Sequence, residues 1–246
     1  MTTEDRPLVL VGMPHYGAVE AGASQGFYCP TRGSVRIANC VAMSASNTGA
    51  SFNDLLVEAL AGRDAGEFTH FAMIHADIEP RFAPYPEPLW LDWLWSEMTR
   101  HQADVVSAVV PIKDVSNPFD PPTSTGIGDL DDPWKAKRLF RVSDRKNLPL
   151  TFGQADVCGE GEVLLVNTGL WLADLRHPAW DAFAGFSLHN RIVRDPDGSR
   201  RGQQRSEDWD LSRHLHAHGA KVMATWAVDL THRGTFGWRN RPVDPT

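Results

Sequence analysis

The 246-residue chain reads as a single α/β domain, a mainly parallel central sheet flanked by helices. Three observations predict this. Short, nearly unbroken apolar runs recur at Leu8–Met13 (LVLVGM), Phe68–His75 (FTHFAMIH) and Asp104–Ile112 (DVVSAVVPI), as strands covered on both faces require. Stretches of helical apolar spacing lie between them. The composition, 42% hydrophobic and 22% charged, is that of an ordinary globular domain and excludes a disordered or fibrous chain.

Leu8–Met13 is the first strand. Residues 14–34 are Gly-rich with a weak helical pattern, and Val35–Met43 gives a second strand. Ser51 reads as an N-cap with Asp54 three residues on. Phe52, Leu55, Leu56 and Leu60 form an apolar stripe that Gly62 ends. The third strand, Phe68–His75, runs into Ala76-Asp77-Ile78-Glu79-Pro80, and Pro84, Pro86 and Pro88 stop any continuation. Leu89–His101 is helical, with Trp90, Trp93, Leu94 and Glu97 on one face. Asp104–Ile112 is the fourth strand, so the alternation implies right-handed crossovers. Residues 113–162, rich in Pro, Gly and Asp, break the pattern and read as a loop-rich insertion or lid.

Val163–Val166 returns to the sheet, Asn167-Thr168-Gly169 turns, and Leu170–Leu175 continues. Arg191, Arg194, Arg200, Arg201 and Arg205 surround a hairpin-turn signal at Asp197-Gly198. Ser206 caps a helix opening Glu207-Asp208-Trp209, with Leu211 and Leu215 inward and Gly219 as the stop. Val222–Leu230 is the last strand, followed by Thr231-His232-Arg233-Gly234 and a tail, 235–246. Nothing has the composition of a linker, so residues 1–246 form one domain.

The net charge of -7 argues against a nucleic-acid coat protein, although a local basic groove is compatible with it. Cys29, Cys40 and Cys158 are odd in number and widely spaced, which fits neither a disulfide framework nor a CxxC pair and points to a reducing cytoplasm. The opening MTTEDRPLVLVG carries acids where a signal peptide carries bases, and no run approaches the ~20 apolar residues of a membrane span.

Several residues could carry chemistry. Asp77 and Glu79 follow a buried strand, where open α/β sheets place ligands, and two carboxylates one residue apart suit Mg²⁺ or Mn²⁺ with positions left for phosphate. The alternative is a polar turn. His232, after the last strand, suits a third metal ligand. Glu207 and Asp208 fit helix-dipole compensation or a general base. Gly169 permits close backbone approach or a tight turn. Trp171 and Trp209 are platform candidates, while Trp90, Trp93 and Trp95 read as core. The arginine cluster reads as a solvated hairpin or an anion holder.

The order THFAMIHADIEP, NTGLWLADL, SEDWDLSRHLHAHGAKV, THRG resembles the GT-A class of nucleotide-sugar glycosyltransferases, in particular the short enzymes of bacteria and bacteriophages, over Leu8 to Gly234. The resemblance implies a GT-A, Rossmann-like fold and a metal-dependent, inverting transfer to an acceptor hydroxyl. Asp77 and Glu79 match the DxD motif that holds Mn²⁺ (or Mg²⁺) and the donor diphosphate, and His232 matches the C-terminal metal ligand. Asp208, beside Glu207, matches the base. Gly169 matches the turn beside the donor sugar, and Asn53 in SFND a nucleotide contact. The second acid is Glu, not Asp, and MPHYGAVEAG matches no nucleotide signature, which leaves the base of the nucleotide open; a UDP-sugar is the favoured donor. The acceptor is open between a DNA base, a protein and a glycan, and so is the oligomeric state; a phage enzyme would work in the host cytoplasm. The 113–162 segment or the tail would close over the donor. Two alternatives stand. A sugar-phosphate nucleotidyltransferase would carry Arg or Lys in its first loop, and residues 14–26 hold neither. A non-catalytic nucleotide-sugar-binding module is the other.

Overall fold

The computed structural model describes residues 6–15, 17–43, 48–234 and 237–241, with the backbone alone at Thr48. In chain order the elements are β1 (Leu8–His15), α1 (Ala21–Tyr28), β2 (Arg36–Met43), α2 (Thr48–Asp64), β3 (His70–Ile74), β4 (Ile78–Pro80), α3 (Trp90–His101), β5 (Val105–Ala108), β6 (Pro122–Asp129), β7 (Ala136–Arg141), β8 (Thr151–Gly153), α4 (Gln154–Val157), β9 (Glu162–Leu165), β10 (Leu170–Asp174), β11 (His189–Arg194), β12 (Arg200–Arg205), α5 (Glu207–Ala217), β13 (Val222–Thr225), β14 (Leu230–Arg233) and β15 (Gly237–Arg239).

The central sheet has seven strands in the order β2-β1-β3-β10-β5-β13-β8. β2, β1, β3, β5 and β13 share one direction, and β10 and β8 run against it. The mixed α/β architecture with a mainly parallel sheet is therefore as the apolar runs predicted. Strand alternation sorts the core into two layers. Leu10, Phe71, Met73 and Trp171 face one way, with Phe52 and Leu55 of α2 and Leu211 and Leu215 of α5. Val9, Val11, Ala72, Ile74 and Leu172 face the other, with Leu91 and Leu94 of α3.

Several elements differ from their sequence reading. Residues 113–162 are not mainly loop: β6, β7 and β9 form a three-stranded antiparallel sheet, and β8 adds to the edge of the main sheet. Thr123 and Thr125 bury their side chains along β6, so β-branched polar residues carry a strand that an apolar count overlooks. The run at Val163–Val166 belongs to this side sheet rather than the main one. Only residues 166–169 separate β9 from β10, too few for a crossover helix, so the chain re-enters the main sheet from its carboxyl edge and runs backwards. The run Val222–Leu230 splits into β13, in the main sheet, and β14, which pairs with β4 and β15. α2 starts at Thr48, so Ser51 lies inside the helix and buried rather than at its cap. Among the described residues, no helix is long and apolar enough to cross a membrane.

Candidate functional site

The carboxyl edge of β3 is where the predicted residues gather. A turn spans His75–Ile78, closed by the Ile78 amide donating to the His75 carbonyl at 3.1 Å. Next, β4 pairs with β14 in the register Ile78↔His232 and Glu79↔Thr231, and the Arg233 amide donates to the Asp77 carbonyl at 2.7 Å. This short ladder sets His232 against Asp77, with Nε2 3.4 Å from Oδ2. The Pro111 carbonyl, which can only accept, lies 2.8 Å from His232 Nδ1, so Nδ1 carries the hydrogen and Nε2 is turned to Asp77. Lys113 Nζ lies 2.5 Å from the same Asp77 oxygen. Burial pushes the Asp77 carboxyl up, but His232, through hydrogen bond and charge, and Lys113 outweigh it and hold the group well below the usual carboxylate range.

Glu79 does not join this group. Its Oε2 accepts from Arg233 Nε at 2.5 Å and its Oε1 from the Gly22 amide at 3.2 Å. His232 and Arg233 are adjacent on β14 and project to opposite faces, so their carboxylate partners do too. Residues i and i+2 share a face only in a continuous strand, and the turn at His75–Ile78 rotates Asp77 out of register with Glu79. Of the three expected metal ligands, the structure brings Asp77 and His232 together and leaves Glu79 on Arg233 and the Gly22 amide. Among the described residues, no group of three or more His, Cys, Asp or Glu side chains could hold a metal ion. In the Asp77–His232 pair one carboxylate oxygen and one imidazole nitrogen converge, two donors of the kind Mn²⁺ takes. Lys113 holds that same carboxylate oxygen and would have to give way.

Asp208 is reached from the other side of the edge. Ser206 caps α5 by accepting from the Asp208 amide at 3.3 Å. The Asp208 side chain is buried against the Asn167-Thr168-Gly169 turn. Oδ1 accepts from the Thr168 amide at 3.1 Å and from the Thr168 hydroxyl, and Oδ2 accepts from Asn167 Nδ2 at 3.3 Å. The Gly169 amide donates to Asn167 Oδ1 at 2.6 Å, and the Gly169 carbonyl accepts from the His75 amide at 2.8 Å. A continuous hydrogen-bonded path thus joins Asp208 to the turn that carries Asp77. Burial, then the Glu207 charge, push the Asp208 carboxyl up to about 7, against the lowering effect of the Thr168 and Asn167 bonds. Burial raises Glu207 as well. A carboxyl so poised can take a proton near neutral pH.

Between β1, α2 and β3 lies a cleft of about 220 Å³ lined by Pro14, Gly17, Phe52, His75 and Asp77 among others. The Phe52 and His75 rings are 4.9 Å apart, and His75 Nε2 is buried with no partner among the described residues. Burial lowers the His75 imidazole to about 4, so it is neutral at pH 7. Sequence reasoning missed Lys113, His75 and Phe52 as site residues. His75 could have been found two residues before Asp77, and Lys113 at the end of the fourth apolar run.

The other expected ligand-binding residues have structural duties. Trp171 is 1% exposed and packs on Phe71 and Trp180 at 5.6 and 5.8 Å, so it is core and no sugar platform. Its alternate position on β10 points it into the α2–α5 layer. Asn53 uses both ends of its amide on the Phe186 backbone, Nδ2 donating to the carbonyl at 3.0 Å and Oδ1 accepting from the amide at 2.7 Å. Gly169 is required by packing, since a Cβ there would lie 2.5 Å from Ile78 Cδ1 and 2.6 Å from Asn167 Oδ1. The described part of the tail is tied down: β15 pairs with β14, and buried Asn240 bonds Val109, Val228 and Leu230. Residues 235–236 and 242–246 of that expected lid lie outside the described residues.

No protein-family model matches this chain, and no curated protein matches it. Among solved structures it is similar to A197 from STIV, at 12% identity and a TM-score of 0.50, over 92% of this chain and 85% of that one. The likeness is one of fold. More remote are UDP-glucose pyrophosphorylase complexed with UDP-glucose (9% identity, TM-score 0.36, 89% of this chain and 72% of that one) and the apo-enzyme (8%, 0.38, 92% and 76%). The overlap with these two is too slight to fix a shared arrangement.

Proposed function

We propose that this chain is a GT-A glycosyltransferase that moves a sugar from a nucleotide-sugar donor, a UDP-sugar for preference, to an acceptor hydroxyl with inversion. The observation that carries the reading is the meeting, at one sheet edge, of an Asp77–His232–Lys113 cluster suited to a diphosphate with a buried carboxyl, Asp208, poised to take a proton. Asp77 and His232 are the residues that would hold Mn²⁺ or Mg²⁺. Such an ion, when bound, supplies Lewis-acid neutralisation of the leaving nucleoside diphosphate.

The chain's own groups do the rest. Asp208 accepts the proton of the acceptor hydroxyl. That oxygen bonds to the anomeric carbon as the bond from this carbon to the diphosphate breaks, through an oxocarbenium-like transition state. Thr168 and Asn167 hold the Asp208 oxygens in place. Lys113, turned from Asp77 to the diphosphate, adds a positive charge on the leaving group. Glu79 positions β14, and with it His232, through Arg233.

Calorimetric titration with UDP, with and without Mn²⁺, tests the donor site. Metal-enhanced binding, lost in Asp77→Ala, is expected; binding unchanged by that substitution would overturn the assignment.

A further inference from the structure

The hairpin β11–β12 is a strongly basic element of an acidic protein. Its 17 residues, 189–205, carry five arginines against two aspartates, in a chain of net charge -7. The register fixes its two faces: His189, Arg191, Val193, Arg201, Gln203 and Arg205 share one, and Asn190, Ile192, Arg194, Arg200, Gly202 and Gln204 the other.

The first face is spent on the protein. The Arg191 and Arg205 guanidinium groups lie 4.2 and 5.1 Å from the centre of the Trp134 ring, and Gln203 Nε2 donates to the Trp134 carbonyl at 2.9 Å. Arg205 and His189 pair with Asp210 on the first turn of α5. Arg201 takes Asp195. The hairpin is therefore anchored in one pose.

The second face is exposed at all six positions. Arg194 stands directly opposite Arg200, and neither makes an ion pair with a described residue. Like charges directly opposite on a hairpin are locally destabilising. No described acid relieves this pair: Asp195 is held by Arg201, and Asp197 accepts from the Ser199 amide in the turn. Next to the arginines, Ile192 is 79% exposed across from Gly202, and Asn190 faces Gln204. An open trough runs over these four residues.

We propose that this outer face binds double-stranded DNA, with Arg194 and Arg200 on backbone phosphates and the Asn190–Gln204 amides against base edges. A two-stranded ribbon is of the width the major groove admits, and guanidinium forks match phosphate oxygens. Paired amides beside an apolar side chain favour a groove of base edges over a lipid surface, which offers them no partner. The inference is independent of the donor reading, because it concerns binding alone.

Fluorescence anisotropy with a labelled 20-base-pair duplex tests it on the full chain. Two phosphate contacts predict a Kd that rises about tenfold between 50 and 200 mM NaCl. Arg194→Gln with Arg200→Gln should weaken binding at least tenfold at 50 mM and flatten the salt dependence, with the far-UV circular dichroism unchanged. Absence of binding by the wild type at 100 µM protein, or equal binding by the double variant, would overturn the proposal. So would tighter binding to heparin or to anionic vesicles at matched charge, which would assign the arginine pair to another polyanion.

Discussion

Asp77 Oδ2 lies 3.4 Å from His232 Nε2, and Lys113 Nζ reaches the same oxygen at 2.5 Å. Two side chains from separate segments converge on one carboxylate oxygen: His232 is set there by the pairing of β4 and β14 directly beyond the turn at His75–Ile78, and Lys113 comes from the segment after β5. The site's charge balance follows from that ladder.

Lys113→Met should leave the fold intact, since the side chain is one-third exposed, and should weaken UDP binding about tenfold, roughly 1.4 kcal/mol, by removing a charge from the proposed diphosphate site. Calorimetry in the presence of Mn²⁺ reads this. Affinity equal to wild type would show that Lys113 serves Asp77 alone.

Asp208 sets a pH dependence of stability. Its folded carboxyl is raised from the ordinary 3.8 to about 7, so between these values the folded chain binds a proton that the unfolded chain has lost. Its contribution is least unfavourable below the unfolded value and becomes a full penalty above about pH 7. Asp208→Asn should therefore gain stability relative to wild type as pH rises from 4 to 8, read as the difference in Tm. A difference constant with pH would contradict the burial argument.

The opposite sign holds for His70 and His75. Burial lowers both from 6.5 to about 4, so the unfolded chain takes up protons that the folded chain refuses. Their stabilising contribution is present above pH 6.5 and is lost as pH falls towards 4. His70→Phe should flatten urea-denaturation midpoints across this window, and an unaltered slope would count against it.

Two substitutions separate packing from ligand contact. Trp171→Ala should cost about 3–5 kcal/mol of stability, as removal of a buried aromatic does. Gly169→Ala should cost about 1–3 kcal/mol, because its Cβ would overlap Ile78 and Asn167. Denaturant unfolding measures both. Stable variants with lost UDP affinity would restore these residues to the donor site.

Part of this was legible in the sequence. Apolar runs ending in polar, Gly-bearing turns located the sheet edge, and acids after a buried strand and in a first helical turn marked Asp77 and Asp208. The rotation that parts Glu79 from Asp77 was not legible, because it arises in one β-turn that a two-residue spacing does not encode. The direction of β10 was hidden for a similar reason: Leu170–Asp174 is apolar whichever way it runs, and only the short connection from β9 decides. Trp171 read as a platform because it neighbours Gly169, whereas strand alternation sends its ring into the core. Lys113 was silent because its role depends wholly on where β5 ends relative to Asp77.

Nucleoside diphosphate release from UDP-sugars, with and without Mn²⁺, is the most direct test, run on wild type beside Asp77→Ala and Asp208→Asn with each variant's fold checked. Metal-dependent release by the wild type is expected, lost in Asp77→Ala and reduced at least a hundredfold in Asp208→Asn as removal of a general base requires. Release of pyrophosphate instead, or turnover indifferent to both substitutions, would contradict it.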